Sequence, residues 1–119
     1  MIIFLPWPST KLSPNARVHW AVLNAEKRRY KQACYILAKN ALKDVGRPKS
    51  EKLHLDIEFF PPSRREYDLD NALARLKAGL DGIAYAIGVD DKHWSISIKK
   101  SSEIGGYVKV GISEIETMQ

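Results

Sequence analysis

Leu73, Leu76, Leu80, Ile83 and Ile87 recur at spacings that alternate between three and four residues. That period winds a single apolar stripe along a helix running from near Leu69 or Asp70 to about Ile87. A stripe of this length has to be covered, either by the core of its own domain or by a second copy of the chain in a dimer seam. The rest of the chain supplies elements that could provide the cover.

Residues 2–5 are apolar without alternation and read as a short buried strand ended by Pro6 and Pro8. Leu23, Tyr30, Cys34, Leu37, Ala41 and Val45 keep helical spacing, and Gly46 followed by Pro48 stops that helix. Its other face carries Lys27, Arg28, Lys31 and Lys39, a solvated face or a DNA contact. Leu53, Leu55, Ile57 and Phe59 alternate with His54, Asp56 and Glu58, a half-buried strand stopped by Pro61 and Pro62. Two further alternating runs, at Trp94–Ile98 and Val108–Ile112, flank Gly105-Gly106, which reads as a hairpin turn. The order β-α-β-α-β-β predicts one α+β domain over residues 1–119, with two main helices and a mixed sheet of about four strands.

Charge is unevenly placed. Residues 1–67 carry 13 Lys and Arg against 6 Asp and Glu, whereas residues 68–119 carry 6 against 8. A basic first half beside an acidic second half suits a surface that grips phosphate next to a site that holds metal, and equally a merely basic soluble domain. The single cysteine, Cys34, excludes a disulfide framework and reads as a small core residue. No apolar run reaches membrane-span length, so the expected compartment is the cytoplasm, with no membrane partner. His19, His54, His93 and Cys34 lack the ligand spacing of a zinc site.

The chemistry concentrates at Arg64-Arg65-Glu66-Tyr67-Asp68-Leu69-Asp70-Asn71 and at Asp90-Asp91. Asp68 and Asp70, two residues apart on an extended approach to a helix, direct their carboxylates to one side. Hard oxygen donors of this kind suit Mg²⁺, an ion that takes one or two protein carboxylates and leaves room for water and substrate phosphate. Acidic residues ahead of an apolar periodic run are also what a helix N-cap looks like, and that reading stands beside the metal one. The segment between Pro6 and Trp20 is long for a connection and carries Lys11, Asn15, Arg17, His19 and Trp20, residues able to contact phosphate or stack on bases.

Leu5-Pro6-Trp7-Pro8-Ser9, Arg64-Arg65 ahead of Asp68-Leu69-Asp70-Asn71, Lys77-Ala78-Gly79-Leu80-Asp81-Gly82, and Val89-Asp90-Asp91 together resemble the RusA family of Holliday-junction resolvases. The resemblance covers most of the chain, in order. It implies a Mg²⁺-dependent homodimeric endonuclease, bacterial or phage-encoded, that resolves four-way DNA junctions by paired nicks during recombination and repair. It assigns the essential carboxylates to Asp68, Asp70 and Asp91, with Asp90 as their neighbour at the metal. Lys77 matches the essential lysine when the motifs are aligned backwards from Asp81. Aligned forwards from Asp68, the match falls nearest Arg75, because the segment after Asn71 is about one helical turn longer than in the family. The expected DNA contacts are Lys11, Asn15, Arg17, His19, Arg64, Arg65 and Arg75.

A helix of roughly 18 residues is about 27 Å long, so Asp70 and Asp91 fall near opposite ends of one rod. Magnesium ligands must converge, which leads to a shared site: Asp68 and Asp70 from one subunit, Asp91 from its two-fold partner. A less selective flap or fork nuclease would use the same chemistry, and a DNA-binding module with structural aspartates would use none.

Overall fold

The computed structural model describes residues 1–115. Four strands, β1 (Ile2–Pro6), β2 (Leu53–Phe60), β3 (Trp94–Lys100) and β4 (Tyr107–Glu114), form one mixed sheet in the order β1-β4-β2-β3. Two helices, α1 (Trp20–Val45) and α2 (Leu69–Ile87), pack together and against the sheet.

β2 occupies an interior position because its alternation is the cleanest in the chain. Leu53, Leu55, Ile57 and Phe59 are each at most 1% exposed. In register beside them lie Ile112, Val110 and Val108 of β4, and Ile3 and Leu5 of β1 continue the same layer. The other face of β2 carries His54, Asp56 and Glu58. There His54 bonds to Ser95 Oγ through Nδ1 at 2.6 Å and to Asp56 Oδ1 through Nε2 at 3.2 Å.

The helices cover the apolar face. Leu76, Leu80, Ile83 and Ile87 of α2 are buried in the core, with Leu73 packed at its margin, so the stripe is covered within the chain itself. α1 faces it through Tyr30, Cys34, Ala38 and Leu42. Close approach of the two helices depends on two glycines. A Cβ on Gly79 would come within 2.6 Å of Tyr30 Cε2, and one on Gly82 would collide with the Lys31 carbonyl oxygen. Cys34 sits in this seam, where burial pushes its thiol up to about 12 and keeps it protonated.

Several details differ from the sequence expectation. Gly105 and Gly106 make no β3–β4 hairpin, because β2 lies between those strands: it pairs parallel with β3 and antiparallel with β4. Strand β2, helix α2 and strand β3 instead form a parallel crossover unit. The segment after β3 turns across the end of β2, where Gly105 N donates to Pro61 O and Gly106 N to Phe60 O. Gly106 takes a left-handed φ of 82° in that turn. β1 does alternate, with Ile3 and Leu5 buried and Ile2 and Phe4 each 55% exposed, since an edge strand of a one-sided sheet has only one face to bury. α1 begins three residues earlier than Leu23, at Trp20, where His19 Nδ1 accepts from Ala21 N at 3.1 Å, and its last residue, Val45, is exposed.

Candidate functional site

The loop from β1 to α1 is built into the fold. Pro8 and Leu12 are buried, a short 3₁₀ turn spans Thr10–Leu12, and Ser9 Oγ caps it by accepting from Lys11 N. Trp7 packs edge-on against Phe59 and Tyr67, with ring centroids 5.9 and 5.5 Å away. Arg75 fixes the loop from the side of α2. Its Nε donates to Ser9 O at 3.3 Å, its Nη2 donates to Pro8 O, and its guanidinium lies 5.8 Å from the Trp7 ring. Only 8% of Arg75 is exposed, and desolvation lowers its pKa. Arg75 was expected to meet DNA; its place is inside, as a clamp on two backbone carbonyls, because its turn of α2 faces the loop. Lys77 is exposed.

Asn71 Nδ2 donates to Ser13 Oγ at 3.0 Å, drawing the turn after the 3₁₀ segment onto the start of α2. The result is an open groove of about 430 Å³ lined by Pro14, Asn15, Asp68, Asp70, Asn71 and Ala74. Asp68 stands at the N-cap of α2 with extended backbone, φ −84° and ψ 134°. Its main-chain oxygen accepts from Ala72 N at 3.0 Å, yet its carboxylate makes no capping bond. Asp70 lies in the first turn, and both aspartates are exposed. Arg64 and Arg65 are exposed in the segment that leads to Asp68, and of the exposed residues Lys11, Asn15, Arg17 and His19 in the β1–α1 loop, Asn15 lines the groove.

The second acidic pair is elsewhere. Asp90 Oδ1 accepts from Lys92 N at 3.1 Å and caps a 3₁₀ turn over Asp91–His93. That bond, followed by one with Asp91, lowers the Asp90 pKa. Because β3 runs parallel to β2, Trp94 pairs with Leu53, at the opposite end of the sheet from Phe60 and the Asp68 approach. The 19 residues of α2 span about 28 Å. The segment 88–91 reaches back at most roughly 14 Å. Among the described residues no three His, Cys, Asp or Glu side chains converge as a metal-binding group. Asp68 and Asp70 are thus brought together, and Asp90 and Asp91 are held away from them within one chain.

The Asp68–Asp70 pair fits Mg²⁺ by its chemistry, with two carboxylates that make no ion pair among the described residues, in an open polar groove. Asp68 takes the N-cap position that the capping alternative gives it, without the side-chain bond that capping supplies.

No family model matches the chain. A protein of Xylella fastidiosa (strain Temecula1), described as an uncharacterized protein, is 43% identical over 91 residues, covering 76% of this chain. The chain spans 60% of that relative's length. Among the described residues, no helix is long and apolar enough to cross a membrane.

Proposed function

We propose that the chain is a Mg²⁺-dependent, structure-specific endodeoxyribonuclease of the RusA type, acting on four-way DNA junctions as a homodimer. The observation that carries the reading is the pair of exposed carboxylates at the start of α2, Asp68 at the N-cap without a capping bond and Asp70 in the first turn, in one groove. A carboxylate at an N-cap ordinarily accepts a backbone N–H. Asp68 leaves that bond unmade, so its oxygens are available to a ligand. Mg²⁺ held there would supply Lewis-acid polarisation of a phosphodiester and a more acidic water.

The chain's own groups do the remaining work. Arg64, Arg65, Lys11 and Arg17 hold the backbone phosphates, and Lys77 stabilises charge that develops on the reacting phosphate in the transition state. Arg75, tied to Ser9 and Pro8, positions the loop that forms the groove's far wall. The separation of Asp91 from Asp68 and Asp70 supports a site completed by the partner subunit, whose Asp91 equivalent would approach across a two-fold axis. Two equivalent sites match a junction's two equivalent strands.

The test is cleavage of a mobile four-way junction beside matched duplex, flap and fork substrates, with Mg²⁺ or chelator, by wild type and Asp70→Asn. Symmetric nicking of the junction that requires both metal and Asp70 supports the reading. Equal cutting of flaps and forks would point to a general branched-DNA nuclease, and binding without cleavage in any divalent metal would reduce the protein to a DNA-binding module.

A further inference from the structure

The aspartate groove adjoins a second one. Pro14 and Ala74 line it and also line a second groove of about 430 Å³, whose walls include Ser13, Leu23, Lys27, Lys77 and Asp81. The two grooves therefore adjoin at Pro14 and Ala74, on the side of α2 that carries Asp70 and Lys77. Lys77 lies seven residues beyond Asp70, about 10.5 Å along the helix axis. Across from it on α1 is Lys27, exposed like Lys77. Among the described residues the ion pairs are Arg29–Glu26, His54–Asp56 and Lys99–Glu58, so neither lysine is neutralised by one. Asp81, four residues from Lys77, makes none either.

Trp20 stands on the same face of α1 as Lys27, seven residues before it and nearly two full turns away. It is 69% exposed, with the His19 ring tilted beside it at 5.4 Å. The contrast with Trp7 is informative: Trp7 has the core for a partner, whereas Trp20, one helical turn before the groove residue Leu23, presents its ring to solvent. Lysines along a groove bind a phosphate backbone, and an open indole beside them stacks on a base. A base within intact duplex already has both faces stacked and offers none to Trp20.

We propose that this second groove, with Lys27 on a phosphate and Trp20 on a base, holds unpaired nucleotides next to the strand at Asp68 and Asp70. It gives the chain a means of selecting branched over continuous duplex DNA. The inference rests on the nuclease reading above and deepens it, assigning Lys27 to strand binding and Trp20 to recognition of the branch.

Binding is measured in chelator on an Asp70→Asn background, so that cutting plays no part. Fluorescence anisotropy compares a four-way junction, a short oligo(dT) and a matched duplex. Trp20→Ala is expected to weaken oligo(dT) and junction binding about tenfold and to change duplex binding less than about twofold. Lys27→Ala should weaken binding to both junction and oligo(dT) and reduce the slope of log affinity against log salt by about one. Lys43→Ala, exposed on the last turn of α1, is the control and should leave both unchanged. Circular dichroism melts check that the exposed substitutions keep the fold. If the parent binds the junction and Trp20→Ala lowers duplex and oligo(dT) affinity equally, or neither, the groove assignment falls while the nuclease reading stands. If the parent binds none of the three DNAs, both fall.

Discussion

The two ends of α2 both carry aspartates, and the helix treats them differently. At its start, Asp68 occupies an N-cap without making the cap bond, and Asp70 is exposed in the first turn. Beyond its end, Asp90 occupies an N-cap and makes the bond to Lys92 N, which lowers its pKa. One end has acidic oxygens engaged by the backbone; the other leaves them open to a ligand. The lesson is that an acidic residue at a helix start is informative about function mainly when its cap bond is missing.

The strongest way to break this contrast is to neutralise each end in turn. Asp70→Asn is expected to reduce junction cleavage on the order of a thousandfold. Its thermal stability should change by less than about 0.5 kcal/mol, since the side chain has no structural bond to lose. Mixing Asp70→Asn with Asp91→Asn should restore single-strand nicking if each site draws on both subunits. No recovery from confirmed heterodimers would mean that the two ends never meet.

A second comparison separates the cations that alignment left open. Lys77→Ala should lower cleavage about a hundredfold with little change in stability. Arg75→Ala should destabilise the protein by about 1–3 kcal/mol in urea titration, because Ser9 O and Pro8 O lose their buried donor. It should also expose the 8–15 loop to protease. The reverse pattern would show that Arg75, not Lys77, faces the substrate.

Gly82→Ala tests the seam that holds the rod in place. The Lys31 carbonyl belongs to a helix backbone and cannot swing aside, so overpacking should cost about 1–3 kcal/mol by chemical denaturation. Gly79→Ala meets the Tyr30 ring and the Cys34 sulfur and should cost less, because side chains can shift.

The smallest effect concerns Asp90. A carboxylate whose folded pKa is lowered contributes stability above its ordinary value of 3.8, and that contribution is lost as pH falls through the lowered folded value. Asp90→Ser keeps a capping oxygen without the titration. It should flatten the melting temperature's acid limb below pH 3.8 relative to wild type. An unchanged limb would show that the ionisation of Asp90 contributes nothing to stability.

Much of the fold was legible from local pattern. Alternation in β2 and the three-and-four stripe of α2 mark their buried faces without reference to anything else, because a period of two or 3.6 is a property of the element itself. The β3–β4 pairing was not legible. Gly105-Gly106 shows that the chain turns, but not which strand it turns beside, and the apolar face of β2 takes the position between them. The tryptophans show the same limit. The sequence reads Trp7 and Trp20 into one loop, yet Trp7 is enclosed by Phe59, Tyr67 and Arg75 while Trp20 opens α1 in solvent.

The sequence alone determined that the chain has one α+β domain, two helices with apolar stripes, and acidic residues gathered at either end of the second. These follow from residue type and spacing, which act within a few residues. Only the tertiary structure decided that the α2 stripe belongs to the core and that Arg75 turns inward while Lys77 turns out. It also decided that Asp68 and Asp70 share a groove from which Asp91 of the same chain is excluded. Those outcomes depend on which segments pack against which, and packing is set by the parallel β2–α2–β3 crossover, which holds the two ends of a rigid helix apart.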